Sequence, residues 1–258
     1  MNRKEALSDA VAGVWQAFDR AAATTARVAP SAPVLFFGDA VAYDRSPLRV
    51  VTVALNPSWR EFPAGDPFCR FPLAEGIAAE DQDRYLDAMS AYFLTSPYWT
   101  WFQHLDPLLN GMGSGYRPGR PSTALHTDIC SPVATDPTWS RLDDGDRQLL
   151  QADGVPLWHG LMEALRPHIV VLAMARGHLS DIAFAPVDAD WGDLHIVDTK
   201  VGGNPREPPY RVQARRYAVG GSKALFVLCP AMRSPLPIGT AQKNELGAII
   251  LDGLANVR

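Results

Sequence analysis

Apolar positions in this chain fall into short dense runs separated by loops and by stretches of helical spacing. Over residues 4–28, Val11, Val14, Trp15 and Phe18 share one face of a 3.6-residue repeat, predicting an Ala-rich amphipathic helix. Val34-Leu35-Phe36-Phe37 is an apolar run stopped by Gly38-Asp39, and residues 50–55 form a β-branched run that reads as a second, buried strand. Residues 56–76, with their prolines and glycine, read as loop. Helical spacing returns over 81–93 and 99–109, the second stretch ending at Gly111. A strand is expected over 124–129, and a helix over 143–165 broken near Gly154-Val155-Pro156. Residues 167–173 make a buried strand, with a short helix after Arg176-Gly177-His178. Residues 195–197 and 211–219 suit more exposed strands, 224–228 a last buried one, and 240–255 a closing helix.

Apolar runs alternating with helices predict an α/β fold of three layers, α/β/α, around a central, mostly parallel sheet. With no repeat, low-complexity segment or obvious linker, residues 1–258 read as a single domain. The 22 prolines point to long ordered loops rather than a helical bundle. Three scattered cysteines, Cys69, Cys130 and Cys229, make no disulfide framework or metal-ligand pair, and the six histidines have no metal-ligand spacing. Neither a metal nor a cofactor is expected. No secretory signal or membrane-length apolar run is visible, so the expected location is the cytoplasm. A net charge of −4 argues against a protein that coats nucleic acid, but leaves room for an enzyme with a local basic groove.

Three apolar runs end in loops with chemical potential: Asn56-Pro57-Ser58, Thr127-Asp128-Ile129-Cys130, and Cys229-Pro230-Ala231-Met232-Arg233-Ser234. Ligands of open α/β sheets bind outside the carboxyl ends of the strands, where these loops fall. Twelve residues beyond Asn56, Phe68 offers a flat face for a planar ring; the alternative is a core position. Asp128 is either a ligand-reading carboxylate or a loop cap. Asp39, Glu61 and Asp66 are the carboxylates nearest in sequence, candidates for activating water or stabilising positive charge. Arg206, Arg211, Arg215, Arg216 and Lys223 form the densest basic stretch, either a phosphate-tracking face or the solvated side of a strand.

Together these loops resemble the uracil-DNA glycosylase superfamily, in its mismatch-specific and thymine glycosylase branch, over residues 34–240. That branch has a strand ending in Asn-Pro and a phenylalanine about a dozen residues later. Asn56 and Phe68 match this spacing; 65–71, Gly-Asp-Pro-Phe-Cys-Arg-Phe, is similar to the family's Pro-Phe segment, and 98–113 to the helix after it. The resemblance implies a uracil-DNA glycosylase-like fold and hydrolysis of a flipped base's N-glycosidic bond, leaving an abasic site. It assigns the attacking water to Asn56, and the nearby Glu61 and Asp66, chosen for their place in the sequence, are the expected catalytic carboxylates. Phe68 would stack the base, with Pro57, Ser58, Asp128 and Cys229 around it. Met232, Arg233 and Ser234, with Arg206 and Arg211, would engage DNA, a side chain of the last loop entering the space the base leaves.

Two departures shape the expectation. Cys229 and Ala231 stand where many members have the His and Ser of His-Pro-Ser. Asp128 stands where uracil-excising members offer an amide; an ionised carboxylate accepts hydrogen bonds only, favouring the exocyclic amine of a cytosine-like base. Removal of ordinary cytosine would be toxic, so a modified cytosine is the expected target, in defence against phage. The expected protein is a monomer with DNA as its partner. Two other readings stay open: a base- or nucleotide-binding protein of the same fold without cleavage, and a hydrolase of free nucleosides.

Overall fold

The computed structural model describes residues 3–231 and 235–255, and side chains within 7–231 and 235–254; Met232, Arg233 and Ser234 lie outside the described residues. In chain order the helices are α1 (Arg3–Arg20), α2 (Ala40–Arg45), α3 (Gln82–Ser90), α4 (Trp99–Phe102), α5 (Asp106–Gly111), α6 (Asp144–Leu165) and α7 (Thr240–Ala255). The strands are β1 (Val50–Ala54), β2 (Ser114–Gly115), β3 (Ser122–Asp128), β4 (Ile169–Leu172), β5 (Ala185–Pro186), β6 (Gly192–Thr199), β7 (Pro205–Val219) and β8 (Ser222–Leu228). The protein is α/β with a mixed sheet.

The chain divides into two compact units: Met1–Val41, Ala54–Tyr98 and Leu125–Leu165 in one, Ala42–Val53, Trp99–Ala124 and Arg166–Arg258 in the other. Neither is a continuous segment. Two of the crossings fall inside strands, after Val53 in β1 and after Ala124 in β3, so no linker composition marks them.

The second unit carries the sheet, ordered β2-β3-β1-β4-β8-β7-β5 with β6 also on β7; β1 and β3 run on into the first unit at their carboxyl ends. β2–β3, β1–β4 and β4–β8 are parallel, whereas β7 is antiparallel to β5, β6 and β8. The parallel strands are buried residue by residue, as in Val50–Ala54 and Ile169–Leu172, because parallel sheets are covered on both faces. Inside β1, the Thr52 hydroxyl meets Tyr116 Oη at 2.7 Å. Along β7, burial of Tyr210, Val212, Tyr217 and Val219 beside more exposed neighbours marks a half-covered strand. A two-residue turn with positive φ at Gly220 and Gly221 joins β7 to β8, matching the twist of a hairpin.

The first unit holds α1, α3 and α6. Helix α6 runs unbroken through Pro156, where the sequence suggests an interruption. Leu150, Gly154, Trp158, Leu161, Met162 and Leu165 keep one face buried at helical spacing, and that packing outweighs the backbone bond a proline lacks. Other boundaries shift. Helix α1 gives way to a 3₁₀ turn at Ala21–Ala23, short of residue 28, and 99–109 splits into α4 and α5. Val34–Phe37 is not a strand; its contact is an isolated bridge between Phe37 and His126. β7 begins at Pro205, earlier than expected, and no helix of the described residues is long and apolar enough to cross a membrane.

Candidate active site at the carboxyl ends of β1 and β3

β1 and β3 end side by side: the Ile129 amide donates to Ala54 O at 3.0 Å, and the Cys130 amide to Leu55 O at 2.9 Å. This places Asn56 and Asp128 at neighbouring strand ends. The Asn56 amide nitrogen donates to Pro57 O (2.9 Å), Val133 O (3.2 Å) and Thr135 Oγ1 (2.8 Å). The turn is laced further to the segment after β3, with Thr135 N donating to Pro57 O (3.2 Å) and Trp59 N to Thr135 O (3.1 Å). Ser58 caps the 3₁₀ turn Trp59–Glu61, its hydroxyl accepting from Arg60 N. With its nitrogen occupied, Asn56 is left with its carbonyl oxygen as the group free to accept from a ligand or water.

Asp128 is 8% exposed, and its Oδ1 has no hydrogen-bond partner among the described residues. Its nearest basic group is His126 Nε2, 3.8 Å away, beyond hydrogen-bond range. Burial pushes the His126 imidazolium down to about 3, so the ring is neutral and the two do not form an ion pair. Burial, reinforced by the nearby Glu61 charge, raises the Asp128 carboxyl well above the usual carboxylate range. Glu61 is itself buried; burial lifts it to about 7 against the opposing hydrogen bond from Tyr92 Oη (2.7 Å) and the charge of Arg70. Tyr92 Oη in turn accepts from Tyr98 N at 2.9 Å. Two buried carboxyls thus share one corner of the first unit, and one is unsatisfied.

Phe68 is half-buried, edge-on to Phe62 with centroids 5.9 Å apart. Phe62 stacks on Phe71 at 5.3 Å and 14°, and Phe71 leans on Tyr92 at 4.9 Å. The core role belongs to Phe62 and Phe71; Phe68 is the outermost ring of that column. Pro57 is buried, Ser58 half-buried, and Asp66 exposed in a turn, without a side-chain hydrogen bond among the described residues.

Asn56, Pro57, Ser58, Glu61, Asp66, Phe68 and Asp128 all belong to the first unit. Cys229, Arg206 and Arg211 belong to the second. Cys229 is buried at the end of β8, its thiol pushed up to about 12 by burial, so it is a neutral group. Arg206 bonds Pro237 O; Arg211 pairs with Asp193 at 2.5 Å and Arg216 with Asp188 at 2.8 Å. Much of the basic stretch is spent on its own hairpin.

Several residues here carry no local sequence signal. Thr135 matters because the fold brings it to Asn56, and Tyr92 reads from sequence as one more apolar helix position. Arg60 is a further addition: its guanidinium lies 4.9 Å from the Trp59 ring and 5.5 Å from that of Tyr98, with no hydrogen bond or ion pair among the described residues. Arg70 lies 5.6 Å from the same Tyr98 ring and donates to Arg60 O and Ser96 O.

The pieces amount to a polar strand-end corner backed by an aromatic column, with a buried carboxyl oxygen that has no hydrogen-bond partner among the described residues. No known protein family matches the chain, and no curated protein matches it in sequence. The resemblance to the uracil-DNA glycosylase superfamily rests on the quoted motifs alone.

Proposed function

We propose that this protein is a monofunctional DNA glycosylase, which takes a base into the strand-end site and hydrolyses its N-glycosidic bond. One observation carries the reading: the buried Asp128 carboxyl, unpartnered at Oδ1, beside the strand end that holds Asn56. A buried polar atom without a partner is costly, and a base edge would satisfy it. Asn56 Oδ1 would accept a hydrogen bond from the attacking water, and Phe68 would stack on the base. Water's hydroxyl joins the sugar's anomeric carbon, while the base leaves with the electrons of the broken bond and takes up the proton that the water gives up. The exposed Trp59 and Arg60, beside the half-buried Tyr98, support a nucleic-acid partner, since aromatic faces and a cation suit bases and phosphates. The reading asks for no metal or cofactor and takes the protein to act as a cytoplasmic monomer.

The ionisation of Asp128 refines the target. Ionised, the carboxylate favours the amine of a cytosine-like base, as the sequence suggests. Neutral, it offers one donor and one acceptor, which fit the paired edge groups of cytosine and of uracil alike. Preference for a modified cytosine, and with it a defence role against phage, therefore requires the ionised form or additional contacts to the modification.

The test is an abasic-site assay over duplex and single-stranded oligonucleotides carrying uracil, cytosine and modified cytosines. Base release from modified cytosine, lowered about 100-fold or more by Asn56→Ala, is the expected result. Abasic sites in uracil DNA alone would overturn the modified-cytosine target, and undiminished activity of Asn56→Ala would remove that residue from the mechanism. Cys229 and Ala231, standing where many members of the uracil-DNA glycosylase superfamily have His and Ser, favour a second reading: a base-binding protein without cleavage. Binding of the oligonucleotides with no abasic sites would identify it.

A further inference from the structure

The second unit contains an open hollow of about 450 Å³, and none of its lining residues is among the strand-end residues above. Ile182, Phe184 and Tyr217 are its buried apolar members, and Trp191, Arg176 and Arg215 its more exposed ones. Trp191 is the outer ring of an aromatic chain, 6.2 Å from Tyr217, which packs edge-on against Phe226 at 4.8 Å. That chain supports a half-exposed indole at the hollow's edge.

The two arginines are held by hydrogen bonds to neutral oxygens. Arg215 lies 5.3 Å from the Tyr217 ring and donates to the backbone oxygens of Asp188 (3.1 Å) and Ala189 (2.5 Å). The Asp188 carboxylate is taken by Arg216, which binds it through Nε at 2.8 Å from both oxygens. Arg176 donates to Gln213 Oε1; Gln213 Nε2 donates to Asp193 at 3.0 Å, and Asp193 already pairs with Arg211. In these networks four guanidinium groups meet two carboxylates. Two positive charges remain, one at Arg176 and one at Arg215. Guanidinium groups anchored by neutral partners are pre-oriented for phosphate, and aromatic faces beside them suit a planar ring.

We propose that this hollow is a nucleotide subsite, with the base against Trp191 and Tyr217 and the phosphate at Arg176 and Arg215. Its volume lies within the range of small-ligand sites, and the required pairing of flat ring and anion excludes purely apolar ligands. The nucleotide is either free or one residue of a strand; both present the same chemistry.

Calorimetric titration of the full chain with thymidine 5′-monophosphate, thymidine, inorganic phosphate and hexathymidylate tests this. The monophosphate should bind at least about tenfold more tightly than thymidine or phosphate, since only it engages both halves of the site. Trp191→Ala and Arg176→Gln should each weaken it about fivefold or more, whereas Phe68→Ala, in the other site, should retain it. Arg176 is exposed, so its variant separates lost binding from lost folding. Tighter binding of hexathymidylate, with the same dependence on Trp191, assigns the subsite to a strand; equal or weaker binding assigns it to the free nucleotide. Absence of monophosphate binding, or binding undiminished in both variants, overturns the proposal.

Discussion

At the scale of single residues, charge burial governs this site. Glu61 keeps its proton in the folded protein up to about pH 7, while in the unfolded chain it loses it near 4.5. Between these values the unfolded state binds fewer protons, so stability falls as pH rises and levels off above about 7. The shift corresponds to about 3 kcal/mol at roughly 1.4 kcal/mol per pH unit. Glu61→Gln should therefore stabilise the protein by about 3 kcal/mol more at pH 8 than at pH 4, relative to wild type, in denaturant titrations. Asp128, raised in the same direction, should leave a residual slope of the same sign in that variant. Asn56 gives a second expectation. Asn56→Asp replaces the amide nitrogen with an acceptor facing Pro57 O, Val133 O and Thr135 Oγ1, and should cost about 2 kcal/mol by denaturation. The residues with an outward chemical signature, Asn56, Phe68 and Asp128, were legible in the sequence. Their supports Thr135 and Tyr92 were not, because their importance comes from partners distant along the chain.

Elements in this protein are positioned by close approaches that leave no room for a side chain. A Cβ on Gly154 of α6 would lie 2.0 Å from Cys130 O and 2.7 Å from Ser131 Cα, in the segment that follows Asp128. Gly154→Ala should therefore lower stability by about 2 kcal/mol despite alanine's helix preference of about 1 kcal/mol, with a lower melting midpoint. In the second unit, Gly247 of α7 would meet Leu108 O at 2.3 Å, and Gly111, next to α7, would meet Asn244 O at 2.1 Å. From the sequence, Gly154 beside Pro156 reads as a helix break; in the fold it is the contact that seats α6 against the loop after β3. Hydrophobic spacing reveals which face of a helix is buried, but not how near the neighbouring backbone comes.

For the whole molecule, net charge is a poor guide to where phosphate would bind. Two of the β7 arginines are taken up in ion pairs: Arg211 holds Asp193, and Arg216 holds Asp188. Salt dependence of oligonucleotide binding should accordingly be shallow. Arg211→Ala should change the slope by well under the roughly 0.9 that losing one phosphate contact produces, whereas Arg60→Ala should change it by about that amount. Filter binding over a series of salt concentrations measures both.

By itself the sequence determined the α/β class, the buried strands β1, β4 and β8, the closing helix α7 and the strand-end loops, because apolar periodicity and turn residues act locally. Only the tertiary structure decided the antiparallel extension of the sheet and the interleaving of the two units. The same holds for the pairing of the β7 arginines and the burial of Asp128 beside Glu61. Each depends on which distant segments meet, and on the desolvation and pairing that follow when they do.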